Sequence, residues 1–174
     1  MDHDVDLGRV LGPDDLVAWG DAERAAGRPI AFTNGCFDLV HAGHLWSLAE
    51  AARHADSLLV AINSDASVRQ LKGAGRPLVP ERHRAALIAA LRPVAAATIF
   101  DAPTPLDVIV QVRPDVLVKG SEYAEEDIVG AREVRSWGGD VVRVPMRAGW
   151  STSSIIAAIR DQQGDRKSTR LNSS

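Results

Sequence analysis

Polar and apolar positions along the chain fall into two kinds of run. One is short and almost continuously apolar, and each example ends at a polar turn or a proline: Pro29 to Thr33, Ser57 to Asn63 (SLLVAIN), Val94 to Phe100, Asp115 to Lys119 (DVLVK) and Val141 to Val144. Runs of four to seven apolar residues suit a parallel strand covered on both faces, because neither face can then be polar. The other kind is longer and has helical spacing. Asp14 to about Ala26, stopped by Gly27, is one such stretch, and Gly43 to about His54 and Asp65 to Lys72 are two more. Pro80 to Leu91 follows, with Leu87, Ile88 and Leu91 on its apolar side, then Pro103 to Val112 and a helix through Arg132 to Trp137 that stops at Gly138-Gly139. Ser151 to Ser153 read as the N-cap region of a last helix, Ser154 to Arg160. Residues 1 to 13 show no clear period.

Strand and helix alternate, which predicts an α/β fold: a Rossmann-like three-layer sandwich with a parallel sheet of about five strands and right-handed crossovers. In such sheets a ligand binds beyond the carboxyl ends of the strands. Four segments follow predicted strands and should gather on that rim: Gly35 to His44, Asn63 to Lys72, Lys119 to Tyr123 and Arg147 to Ser153.

Composition narrows the class. At 174 residues and 45% hydrophobic, the chain holds one core, so residues 1–161 are expected to form a single domain. Residues 162–174, polar and ending KSTRLNSS, are expected to be a disordered tail or a sequence-assembly scar. A formal charge of −3 argues against a nucleic-acid partner. A single cysteine excludes an internal disulfide and fits a reducing compartment. With no signal-like or membrane-spanning apolar run, the expectation is a cytoplasmic protein that does not engage a membrane. Exposed apolar residues around Trp137 or Trp150 could form a homodimer or larger homo-oligomer face.

The most informative stretch is FTNGCFDLVHAGHL, Phe32 to Leu45. It runs from a strand through a tight loop into a helix start, where unpaired backbone N–H groups and the positive end of the dipole attract phosphate. Gly35 and Gly43 let the backbone approach a ligand, and His41 and His44 can donate hydrogen bonds to one group of oxygens. Zinc would need three or four ligands, and His3, His54, His83 and Cys36 are scattered, so no resident metal is expected. Lys72 and Arg76 sit in a glycine-rich loop suited to phosphate, and Lys119 ends a strand.

NGCFDLVHAGHL, NSDASVRQLKGAGRPL, HRAALIAAL, LVKGSEY and RAGWSTSSII resemble, in order and spacing, the cytidylyltransferase-like nucleotidyltransferases. Within that family they are most similar to members that adenylylate D-glycero-D-manno-heptose 1-phosphate, in a form without the fused sugar kinase. The resemblance implies that His41 and His44 contact nucleotide phosphates and that Thr33, Asn34, Gly35, Cys36, Phe37 and Gly43 line the nucleotide pocket. It places Lys119 and Gly120 on the nucleotide and Ser151, Thr152 and Ser153 on the triphosphate. Asp38, Asn63, Asp65, Lys72, Arg84, Glu122 and Tyr123 fall to the acceptor side, with Lys72 also near the triphosphate. His41, His44, Lys72 and Lys119 are the implied catalytic set, and Mg2+ is implied as a companion of ATP. Ser121-Glu122 and Ser153 depart from the family's usual residues but remain polar.

The implied reaction joins ATP and a sugar 1-phosphate to give ADP-heptose and pyrophosphate. Alternatives are a cytidylyltransferase acting on glycerol 3-phosphate or another alcohol phosphate, and a nucleotide-binding module without turnover.

Overall fold

The computed structural model describes residues 8–145, 152–159 and 161. Six strands form one sheet: β1 (Val10–Leu11), β2 (Ile30–Gly35), β3 (Ser57–Asn63), β4 (Ala96–Phe100), β5 (Val116–Gly120) and β6 (Asp140–Val144). Their spatial order is β1-β4-β3-β2-β5-β6, and every pairing is parallel. The helices between them are α1 (Leu16–Ala25), α2 (Ala42–Ala51), α3 (Asp65–Lys72), α4 (Glu81–Ala89), α5 (Leu106–Val112) and α6 (Ala131–Ser136).

The continuous apolar run of β3 has the predicted consequence: all seven residues are buried. Alternate side chains enter different layers. Leu59 and Ala61 join Ile30, Phe32, Trp19, Ile109 and Val134 on one face, whereas Leu58, Val60 and Ile62 join Ala31, Leu48, Ala85 and Ile88 on the other. Each fully buried Leu or Ile contributes about 1.5–3 kcal/mol of transfer free energy, so the two layers hold the sheet between α1, α5 and α6 on one side and α2 and α4 on the other. Trp137 packs against the first layer and donates its indole N–H to the Pro114 carbonyl at 3.0 Å, so this ring belongs to the core margin.

Several predicted boundaries shift. The sheet gains β1, two residues that pair with Ala97 and Thr98 of β4 and are too short to carry a period. The helix predicted over Pro80 to Leu91 spans Glu81–Ala89, and its buried face is Arg84, Ala85, Ile88 and Ala89. Leu87 is 52% exposed and lies off that face. Residues 152–159 are helical, so Thr152 and Ser153 lie within helix instead of ahead of it. Ser151, Arg147, Trp150 and the tail at 162–174 lie outside the described residues.

The connection from β2 leads to β3 on one side, and β5 returns to β2's other side. Chain connections therefore diverge at the carboxyl end of β2, and the loop that leaves it carries the two histidines.

Candidate active site

His41 is the N-cap of α2, with extended backbone at φ −140° and ψ 170°. Its Nδ1 accepts the Gly43 N–H at 3.1 Å, while the Nδ1 of His44 accepts the N–H of His41 at 3.3 Å. This is a reciprocal cap built from imidazoles: each ring satisfies a backbone donor that the first helical turn leaves over. The rings stack with centroids 3.9 Å apart and planes 25° apart, and Phe37 tilts against His44 at 5.2 Å.

The cap determines the chemistry of the pair. An Nδ1 that accepts a backbone N–H carries no proton, so in the neutral ring the proton is on Nε2, the outer nitrogen, which is then a donor. Burial, the neighbouring His41 ring and the Lys72 charge depress His44 to about 4, and burial also lowers His41. Both rings are therefore neutral near pH 7, with one N–H each to offer.

Phe37 adopts the left-handed region at φ 48°, which aromatic residues rarely enter. Its ring lies over Gly35, where a Cβ would meet ring carbons at 3.1 and 3.2 Å. The absence of a side chain at Gly35 thus makes room for the ring that supports His44.

The loop opens on a cavity of about 480 Å³ lined by Thr33, Asn34, Gly35, Cys36 and Phe37 from the β2 end, and by His44, Ser47 and Leu48 from α2. Asn63, Leu71 and Lys72 close the β3 side with Pro103 and Pro105. Val118, Lys119, Gly120, Glu122, Tyr123 and Val144 close the β5–β6 side. The Lys119 ammonium donates to Asn34 Oδ1 and lies 5.7 Å from the centre of the Tyr123 ring. Burial lowers its pKa to about 8 against the opposing pull of the Glu122 carboxylate. Burial raises the Cys36 thiol, whose Sγ faces Asn63 Oδ1 at 3.9 Å, so it is a poor nucleophile.

Three of the residues expected at the acceptor have other partners. Arg84 is 0% exposed, and its guanidinium donates to the carbonyls of Val79 (2.8 Å), Cys36 (2.5 Å) and Asn63 (2.8 Å) and to Asp65 Oδ1 (2.7 Å). Four of its five N–H groups are thereby used inside the protein. Asp38 is also buried: Oδ1 accepts the N–H groups of Leu78 and Val79 at 2.7 and 2.9 Å, and Oδ2 lies 2.5 Å from Arg76 Nε. Asp65 pairs with Arg84 and lines a separate cleft of about 650 Å³ with Arg69, Glu81, Asp101 and Asp107. That larger cleft contains neither histidine and neither Lys72 nor Lys119.

Near the histidines, Gly43 is buried at the second position of α2. Thr152 is half-buried, with its hydroxyl 3.5 Å from the Leu39 carbonyl, whereas Ser153 is exposed. The lining also includes Ser47, Pro103 and Pro105, which the sequence motifs do not point to. The two prolines follow β4 directly, so the strand-end rule finds them once it is applied to that strand as well.

A family model described as cytidylyltransferase-like matches residues 32–158. The chain is 50% identical over 137 residues to the bifunctional protein HldE of Acidiphilium cryptum, covering 79% of this chain and 28% of that protein. It is 55% identical over 127 residues to the bifunctional protein HldE of Koribacter versatilis, covering 73% and 26%. The chain thus spans less than a third of the length of these curated relatives. A crystal structure of the lipopolysaccharide core biosynthesis protein from Thermoplasma volcanium superposes with a TM-score of 0.58 at 26% identity, over 70% of this chain and 98% of that one.

Proposed function

The chain belongs to the cytidylyltransferase-like family, and we propose that it acts there as a sugar-phosphate adenylyltransferase. ATP and D-glycero-D-manno-heptose 1-phosphate are its substrates; ADP-heptose and pyrophosphate are its products. The observation that carries this reading is the reciprocal histidine cap at a helix start: His44 lines the cavity that holds Lys72 and Lys119, and His41, outside that lining, stacks against it, each neutral ring keeping one N–H donor. The resemblance of the sequence motifs to heptose 1-phosphate adenylyltransferases supports heptose, and the structural relative named for lipopolysaccharide core biosynthesis supports a glycoconjugate precursor as the product.

The acceptor needs no general base. A phosphomonoester is largely dianionic at neutral pH, since its second pKa is about 6, and its oxygen attacks the α-phosphorus of ATP in line as the bond to pyrophosphate breaks. The barrier lies in bringing two polyanions together and in charge that spreads over equatorial and leaving oxygens. His41 and His44 donate to those oxygens, the first turn of α2 adds its dipole, and Lys72 and Lys119 neutralise charge from opposite sides of the cavity. Among the described residues, Glu122 is the single carboxylate in the cavity lining. That set suits magnesium delivered on the triphosphate, with phosphate oxygens and water as most of its ligands. Thr33, Asn34, Gly35, Cys36, Phe37, Gly43 and Gly120 are proposed to surround the nucleotide, with Thr152 and Ser153 approaching its triphosphate. Asn63, Glu122 and Tyr123 are proposed to face the acceptor.

The test measures pyrophosphate release with ATP, CTP, GTP and UTP, each against heptose 1-phosphate and glycerol 3-phosphate. Release with ATP and heptose 1-phosphate alone is expected. Preferred turnover of CTP with glycerol 3-phosphate would overturn the assignment, and ATP binding without release would make the protein a binding module.

A further inference from the structure

Lys72 is the last residue of α3, and Gly73-Ala74-Gly75 follows it as a turn: the Gly73 N–H donates to the Arg69 carbonyl at 2.9 Å and the Arg76 N–H to the Gly73 carbonyl at 3.1 Å. Gly73 has φ +91°, a Cβ added at either Gly73 or Gly75 would meet nothing within 4 Å, and residues 73–75 are exposed. Two glycines among three residues give this turn little preference of its own, so its shape, and the position of the last turn of α3 that carries Lys72, depends on what holds its far end. The first firm attachment beyond them is at Arg76 to Val79. Two buried side chains make it. Asp38 takes the N–H groups of Leu78 and Val79 on one oxygen and holds the Arg76 guanidinium against the other; Arg84 takes the Val79 carbonyl.

Asp38 belongs to the same loop as Phe37 and the histidines, and Arg84 also grips Cys36, Asn63 and Asp65. The segment carrying Arg76 is therefore fastened to the loop that carries the histidine pair. The Asp38 side chain is 2% exposed and does not line the cavity, so it has no route to a ligand in this arrangement.

We propose that Asp38 is a positioning residue: it acts through Arg76 and the 78–79 backbone to hold the 73–79 segment, and with it Lys72, against the active site, and it does not touch the acceptor. The proposal rests on the site reading given under Proposed function, in which Lys72 serves the incoming sugar phosphate. Removing the Asp38 charge should then have the same effect as removing the Arg76 charge, because both break one contact.

A double-mutant cycle of Asp38→Asn, Arg76→Gln and the pair decides it. The amide introduced by Asp38→Asn keeps an oxygen for the two backbone donors, and Arg76 belongs to neither apolar layer, so both variants retain the core. Three quantities are measured: KM for heptose 1-phosphate, KM for ATP, and the rate at which trypsin cuts after Lys72. Each single change should raise the acceptor KM and the cutting rate about tenfold, which is about 1.4 kcal/mol, while KM for ATP stays within about twofold. The double variant should be no worse than either single one. Multiplicative losses in the double variant, a silent Arg76→Gln beside a disabled Asp38→Asn, or an unchanged cutting rate would each overturn the proposal. If the wild-type protein does not turn over heptose 1-phosphate, the substrate assignment fails, and the cutting rates still decide the role of Asp38.

Discussion

At the scale of single residues, the tautomers of His41 and His44 are dictated by backbone groups of their own helix turn. Histidines as N-caps give up their inner nitrogens to the fold and keep the outer ones for chemistry. His44→Ala removes the donor proposed for the transition state and one acceptor from the helix start. Turnover should fall by roughly 10²–10³-fold, whereas the lost cap costs only about 1 kcal/mol of stability; steady-state rates and a thermal melt separate the two effects.

Lys119 makes a prediction in pH. Its folded pKa of about 8 is below the ordinary lysine value of 10.5, so above pH 8 the free protein holds it neutral, whereas phosphate favours the ammonium form. ATP affinity should therefore weaken as pH rises past 8, by up to about tenfold per unit. Titrations should show Lys119→Arg flat over the same range, because guanidinium stays charged. The residues easiest to read in the sequence were those whose role is local. HAGH at a strand-to-helix switch puts both rings at a helix start from spacing alone, and the fold bears this out with His41 as N-cap and His44 one turn on. Arg84 and Asp38 resembled ordinary site residues because their partners, the Val79 and Cys36 carbonyls and the 78–79 N–H groups, are brought to them only by the fold.

At the scale of elements, α3 shows how a strand end is tied to a helix start. Ser64 is its N-cap: the hydroxyl accepts the Ser67 N–H at 3.0 Å and donates to Asp101, which follows β4, while Glu81 of α4 accepts the Asp65 N–H at 2.6 Å. Ser64→Ala should cost about 1–2 kcal/mol, seen as a lower denaturation midpoint with unchanged slope, and should leave His44 and its partners in place. SLLVAIN was legible as β3 because a strand covered on both faces needs an unbroken apolar run. Val10–Leu11 was not, since two residues define no period and their strand exists only through β4. Leu87 misled for a related reason: α4 buries Arg84 on the face where an apolar residue is usually found.

At the scale of the molecule, parallel pairing makes one end of the sheet the working end. Residues 34–44, 63–72 and 119–123 are far apart in sequence and are carried to one cavity by β2, β3 and β5. ATP should protect all three segments from hydrogen exchange together, and β3, paired on both sides, should exchange slowest with or without nucleotide. Protection of a single segment would contradict a shared site. Among the described residues no helix is long and apolar enough to cross a membrane.

The place of β1 has a consequence for biosynthesis. Val10 and Leu11 precede every other strand of the sheet, yet among the described residues their sheet neighbours are Ala97 and Thr98. During translation Val10 and Leu11 must wait, unpaired, until β4 has left the ribosome. They close one margin of the sheet late, and the wall containing Lys119 emerges later still.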